Sequence, residues 1–212
     1  MDFSKKVVIN TETVEWAASP LAGVQRRMLD RDGAESGRAT SIVRFDPGSY
    51  FTPHVHGGGE EFIVLDGVFS DEHGDFPPGT YVRNPVGSEH QPSSKQGCTI
   101  FVKLWQMDET DQDFVRIDTG SKPWAPGLVE GLSVMPLHQF GTEHVALVNW
   151  QPGTVFQRHA HMGGEEILVL EGTFEDEHGS YPKGTWIRSP SGSTHKPFSR
   201  EGCTIYVKTG HL

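Results

Sequence analysis

Apolar positions along this chain fall in short alternating runs rather than at helical spacing. Thr40-Ser41-Ile42-Val43-Arg44-Phe45, Glu61-Phe62-Ile63-Val64-Leu65, Thr80-Tyr81-Val82-Arg83 and Thr99-Ile100-Phe101-Val102-Lys103-Leu104 are β-branched or aromatic and bounded by Gly, Pro, Asp or Asn, which predicts strands. Few segments carry a 3.6-residue period long enough to predict a helix. Short strands separated by turns roughly every ten residues point to an all-β antiparallel sandwich or jelly roll. Phe51, Phe69, Phe101, Phe156, Phe174, Trp186 and Tyr206 are expected to fill its interior.

The pattern occurs twice. Residues 42–104 align with 147–209 without a gap and agree at 34 of 63 positions. Upstream the offset changes from 105 to 108, so that Val7, Ile9, Trp16, Gly23 and Leu29 line up with Val115, Ile117, Trp124, Gly131 and Leu137. The change falls between Leu29 and Val43, where Asp30 to Gly37 reads as a polar surface loop. Internal duplication therefore predicts two tandem domains, residues 1–108 and 109–212, divided near the acidic stretch Met107 to Asp113.

Each copy holds the same cluster, His54-Val55-His56-Gly57-Gly58-Gly59-Glu60-Glu61 and His159-Ala160-His161-Met162-Gly163-Gly164-Glu165-Glu166, followed by His90 or His195. In an extended strand the two histidines of His-x-His point the same way. The glycines permit a tight connection that returns the glutamate beside them. Three imidazoles and a carboxylate suit a first-row divalent ion, so the candidate ligands are His54, His56, Glu60 and His90 in one copy and His159, His161, Glu165 and His195 in the other. Ligand type alone does not choose the metal. Glu61 and Glu166 adjoin the ligands but face the other way; with Ser88 and Ser193 they are candidates to support the histidines.

These residues carry a family resemblance. Gly48, His54, His56, Glu60 and Gly67 resemble the first cupin motif, and Gly79, Pro85, Gly87 and His90 the second. Gly153, His159, His161, Glu165 and Gly172, then Gly184, Pro190, Gly192 and His195, repeat both. An asparagine common after the last cupin histidine is replaced by Ser94 and Ser199; it is not a ligand in that family. The resemblance implies a jelly-roll fold and one divalent ion per domain, zinc being expected and iron, manganese or nickel compatible. Within cupins, the stretch from His56 to Cys98 is similar to the cupin-like domain of ChrR-type anti-sigma factors, over nearly the whole chain.

That similarity implies a metal-binding sensory domain. In the ChrR family a separate N-terminal zinc domain holds the sigma factor, and the cupin domain is required for the response to oxidative stress. Here the first forty residues align with the second copy's own N-terminal strands and contain no Cys, so the sensory module is expected without the inhibitory one. A sigma factor or other regulatory protein and a small-molecule ligand are the implied partners. An alternative is an iron-dependent dioxygenase acting on a small diketone or hydroxyacetophenone-like substrate, as in related cupins. A third reading is a pair of barrels whose metals only stabilise folding.

A net charge of −10 argues against direct nucleic-acid binding. Neither a secretory signal nor an apolar stretch of membrane length is evident, so a cytoplasmic protein is expected. Cys98 and Cys203, at equivalent places, read as small buried hydrophobes rather than a redox pair. Asp71-Glu72-His73-Gly74 and Asp176-Glu177-His178-Gly179 read as turns in which Asp accepts backbone hydrogen bonds and Gly takes a positive φ. His138, His144 and His211 lack counterparts and are expected at the surface.

Overall fold

The computed structural model describes residues 1–33 and 36–212; Ala34 and Glu35, in the polar loop expected after Leu29, lie outside the described residues. Among the described residues the regular structure is strand, apart from one 3-10 turn at Thr11–Thr13. No helix is long and apolar enough to cross a membrane. The expected strands form as Ala39–Phe45, Glu60–Gly67, Thr80–Asn84 and Cys98–Leu104.

Two compact units emerge. One comprises residues 14–122 with Met1, the other residues 2–13 and 123–212. In the first, an antiparallel sheet runs in the order Val115–Asp118, Thr80–Asn84, Glu60–Gly67, Cys98–Leu104, Ala39–Phe45, Val24–Arg31, Ala17–Ala18. In the second, the order Val7–Asn10, Thr185–Ser189, Glu165–Asp176, Cys203–Thr209, Glu143–Trp150, Leu132–Phe140, Ala125–Pro126 repeats it strand for strand. Val7–Asn10 and Val115–Asp118, equivalent in the repeat, therefore take equivalent places. Each adds to the sheet built from the other copy, pairing with Thr185–Ser189 and Thr80–Asn84 and covering what would otherwise be an open edge. The compact units and the ranges 1–108 and 109–212 differ in how they assign these two strands.

Alternation along the strands places one residue set in each barrel core. Phe62, Val64, Val82, Ile100 and Val102 pack with Phe45, Phe69 and Phe76 in the first unit. Ile167, Val169, Ile187 and Ile205 pack with Trp150, Phe174 and Tyr181 in the second. Of the aromatics expected inside, Phe69 and Phe174 join these cores, while Phe51 and Phe156 pack against them half-buried. Phe101, Trp186 and Tyr206 are also buried, but alternation puts them on the opposite sheet faces. Cys98 and Cys203 are buried free thiols, which burial pushes up to about 11. They act as apolar filling.

Candidate metal centres

Glu60 opens a strand whose Phe62 and Val64 face the core, so period-two alternation sends its carboxylate inward and Glu61 outward. His54 stands opposite His90 in register, and Val55 between the two first-copy histidines is turned out, 61% exposed. Gly59, at φ +75°, turns the chain from His56 into the strand, and a Cβ there would collide with the Met107 side chain. The rings of His54, His56 and His90 gather with centroids 4.9, 5.1 and 4.6 Å apart. Glu60 Oε2 lies 3.6 Å from His56 Nε2 and 3.4 Å from His90 Nε2.

The second unit repeats the arrangement. His159 stands opposite His195, and the rings of His159, His161 and His195 are 4.5, 4.8 and 5.0 Å apart. Glu165 places Oε1 3.3 Å from His161 Nε2 and Oε2 3.8 Å from His195 Nε2. Within each triad one nitrogen per ring lies within 4.8 Å of the others. Donors bound to one ion at about 2.1 Å stand roughly 3 Å apart, so both sets have the dimensions to hold a metal ion.

Protonation favours the same outcome. His54 Nδ1 is 3.1 Å from the Thr52 carbonyl and His159 Nδ1 3.0 Å from that of Gln157. A carbonyl only accepts, so the proton sits on Nδ1 and the Nε2 lone pair is left for the centre. His90 Nδ1 is 3.2 Å from Asp71 Oδ2, and His195 Nδ1 is 3.6 Å from Asp176 Oδ2. Nε2 of His56 and of His90 is buried without a hydrogen-bond partner. Buried lone pairs converging on a carboxylate are what a cation satisfies.

Electrostatics differ between the two centres. Burial, with His90 and His54 nearby, lowers the His56 pKa despite Glu60. Burial also lowers His90, but the Asp71 bond and Glu60 outweigh it and leave a net rise. In the second centre burial and the neighbouring histidines push His161 down to about 3, and burial lifts Glu165 to about 7 against the pull of His195 and Lys6.

The residues expected to support the histidines do otherwise. Glu61 accepts from Arg83 Nη1 at 2.7 Å on the far side of the sheet, and Ser88 Oγ donates to the Pro85 carbonyl at 2.6 Å. Support comes instead from Asp71 and Asp176. As expected, each accepts a backbone bond within its turn, at 2.8 Å from His73 N or His178 N. Each also spends its other oxygen on the last histidine. Gly74 has φ +138°, whereas Gly179 is not in the left-handed region. The neighbouring glutamates accept from Gln91 N and Lys196 N at 2.9 and 2.7 Å, tying the turn to the strand end that bears the histidine. Recurrence of this tetrapeptide in both copies was the available signal.

Three further placements were not foreseen. Asn84 Nδ2 donates to Glu60 Oε2 at 2.9 Å, and Arg116 braces Asn84 at 2.5 Å. Asp111, in the acidic stretch expected to divide the domains, is buried and bonded to Arg83 at 2.6 Å. His211 is not a surface residue; its side chain is 2% exposed and stands 3.6 Å from Glu166. The buried carboxylate draws the chain end inward. His144 is exposed and His138 half-buried.

Duplicated β-barrels, each turning a His-x-His-x3-Glu cluster and a later histidine toward its interior, define a tandem cupin. The model of one family, the ChrR cupin-like domain, matches residues 4–108 and again 112–212, and the chain belongs to that family. Solved structures share the fold. A candidate dioxygenase from Nostoc punctiforme superposes with a TM-score of 0.83 at 18% identity, over 97% of this chain and 82% of that one. Protein YlbA of E. coli gives 0.75 at 14% identity, over 100% and 93%. An oxalate decarboxylase from Lactobacillus farciminis, in complex with formate, gives 0.67 at 13%, over 97% and 86%. Among curated proteins none matches the sequence significantly.

Proposed function

We propose that each unit binds one divalent metal ion, through His54, His56, Glu60 and His90 in the first and His159, His161, Glu165 and His195 in the second. On this reading the protein is a metal-dependent sensory module of the ChrR kind, with zinc as the expected ion and a sigma factor or other regulatory protein as the reader of its state. The observation that carries the proposal is the pair of buried, unbonded Nε2 atoms of His56 and His90 aimed at Glu60. A bound ion supplies Lewis acidity to whatever ligand reaches it. Glu60 offsets its charge, Thr52 and Asp71 fix the ring orientations of His54 and His90, and Phe69 beside His90 limits access of water.

Elemental analysis of the full chain, purified without a metal-affinity tag, is the direct test: two ions per chain are expected, and none would end the proposal. For the sensory role, pull-downs from native extract should differ between chelator-stripped and loaded protein. Identical partner sets would remove it.

One observation favours a second reading. The first centre borders a cavity of about 430 Å³ lined by His54, His56 and Glu60, within the range that accepts a small organic ligand, so an open coordination position has room to be used. With iron bound, this supports a dioxygenase acting on a small diketone or hydroxyacetophenone-like substrate. Oxygen uptake with a β-diketone tests it, and zinc as the native ion, having no accessible redox state, would sink it.

A further inference from the structure

The strand that closes each sheet brings a cation against the residues supporting the metal set, and the two units place that cation differently. Lys6 stands just before Val7–Asn10; the equivalent residue before Val115–Asp118 is Phe114, 62% exposed. Lys6 Nζ lies 3.3 Å from Asp176 Oδ2, 3.0 Å from the Tyr181 hydroxyl and 5.1 Å from the centre of the Tyr181 ring. In the first unit the cation comes two residues further along the strand. Arg116, in the place of Val8, lies over Phe76, the counterpart of Tyr181, with 5.7 Å between guanidinium carbon and ring centre. It donates to the Arg83 carbonyl at 2.8 Å and to Asn84 Oδ1 at 2.5 Å. These bonds bypass Asp71, whose Oδ2 pairs with His90 Nδ1 at 3.2 Å.

In the second unit one carboxylate oxygen faces two donors. Asp176 Oδ1 accepts from the amides of His178 and Gly179 and from the Tyr181 hydroxyl, at 2.8, 3.0 and 2.9 Å, so Oδ2 is the atom that both Lys6 and His195 approach. It stands 3.6 Å from His195 Nδ1, beyond hydrogen-bond length, against 3.2 Å at the equivalent pair. The Asp176 side chain is 1% exposed, so water does little to screen this competition. A carboxylate on the outer nitrogen of a metal-bound histidine orients the ring and raises its basicity as a ligand. An ammonium group on the same oxygen withdraws that support.

We propose that Lys6 is a positioning residue of the second metal centre. Docked with the N-terminal strand, it competes with His195 for Asp176 and holds down the centre's affinity, so that filling the centre loosens the strand. The coupling runs equally in both directions. It gives the second centre, unlike the first, a link to the strand Val7–Asn10. This inference rests on the metal reading above.

The test isolates the second centre in the full chain with His56→Ala and measures zinc affinity by competition with a chromogenic chelator. Adding Lys6→Met should raise that affinity about tenfold, whereas Lys6→Arg should keep it near the parent value. A purely structural lysine would give the opposite sign, since its loss slackens the centre. In the first centre, isolated by His161→Ala, Phe114→Lys together with Phe76→Tyr installs the second unit's clamp and should lower zinc affinity. Amide hydrogen exchange reads the reciprocal effect: in the His56→Ala chain, zinc should speed exchange across Val7–Asn10 relative to the chelator-stripped protein, where simple stabilisation would slow it. Unchanged or weaker zinc binding in Lys6→Met, or slower or unaltered exchange on loading, would overturn the proposal. The exchange measurement needs no Lys6 variant to fold. A chain that takes up no zinc in either centre ends the metal reading and this inference with it; zinc uptake indifferent to Lys6 ends this inference alone.

Discussion

The two candidate metal centres have the same cluster of residues and different surroundings. Glu60 is held by Asn84, itself braced by Arg116; the corresponding positions in the second unit are Ser189 and Val8, and Glu165 sits buried with its pKa lifted to about 7. Asp71 serves His90 at 3.2 Å, whereas Asp176 stands 3.6 Å from His195 and also accepts from Lys6 at 3.3 Å and from Tyr181 at 2.9 Å. The first centre opens on the larger, arginine-lined cavity and the second on a smaller apolar one. The residues one layer out therefore distinguish two clusters of the same composition, in how firmly each is held and in what can approach it.

The strongest way to break this comparison is to remove a ligand from one side only. His56→Ala should lower the ion count from two to one per chain and leave the second centre filled; His161→Ala should do the converse, and the double variant should hold none. Mass spectrometry under native conditions counts the ions. A single substitution that empties both centres would mean that they do not act independently.

The next effect is on stability with metal stripped by chelator. Glu165 has a folded pKa raised above its unfolded value of 4.5, so its protonated form supports the fold at low pH and that support is lost as pH rises through about 7. His161, pushed down from 6.5 to about 3, works in the other sense: its contribution is full above 6.5 and is lost as pH falls toward 3. The two trends oppose each other between about 4.5 and 6.5, and the stripped wild type should show a shallow profile there. Glu165→Gln removes one of them. At pH 8 the stripped variant should be more stable than stripped wild type by on the order of 3 kcal/mol, with stability climbing up to about pH 6.5 and then level. Glu60→Gln should bring no such gain, since Asn84 already satisfies that carboxylate. Urea titrations followed by tryptophan fluorescence measure both, and equal responses at the two positions would erase the distinction between the centres.

Affinity separates the aspartates. Asp71→Asn should weaken metal binding in the first centre by about 10–100-fold, because the His90 ring loses the carboxylate that orients it. Asp176→Asn should weaken the second by less, its longer contact to His195 being shared with Lys6 and Tyr181. Competition with a chromogenic chelator ranks the two, and the reverse order would contradict the reading of these distances.

Much of this was legible beforehand for a physical reason. The candidate ligands stand at fixed spacing in the chain, and a period of two in sequence maps directly onto one face of a barrel. Duplication then repeated the message, so the four-residue set, the strand pattern and the count of barrels all follow from local rules. What the chain order hides is which strand ends up beside which. The Asp71 turn could be foreseen, but its contact with His90 depends on Phe69–Asp71 pairing with Ser93–Ser94, and the seating of Val7–Asn10 on the second sheet is non-local in the same way. His211 misled because it has no twin: Leu212 N donates to the Gly163 carbonyl at 2.7 Å, pinning the chain end beside the second glycine turn.

The finest difference is an exchange of bulk at those turns. The first unit pairs Gly57 with Trp105; at the same two places the second pairs Met162 with Gly210. Trp105 adopts φ +59°, where its counterpart is a glycine at φ +75°, a conformation that costs a non-glycine residue on the order of 1 kcal/mol. A Cβ on Gly57 would stand 2.6 Å from Trp105 Cη2, so the indole can lie across the turn only while that turn is bare. Gly57→Met alone should destabilise the first unit by about 1–2 kcal/mol through this overlap. Trp105→Gly should change stability little, relief of the strained backbone offsetting the lost packing. The double variant, which installs the second unit's pair in the first, should recover most of the loss, giving a coupling energy of about 1 kcal/mol by double-mutant cycle. Additive effects would show that bulk on the turn and bulk on the strand end were set independently, and the indole would then need another reason to hold its left-handed backbone at the rim of the larger cavity.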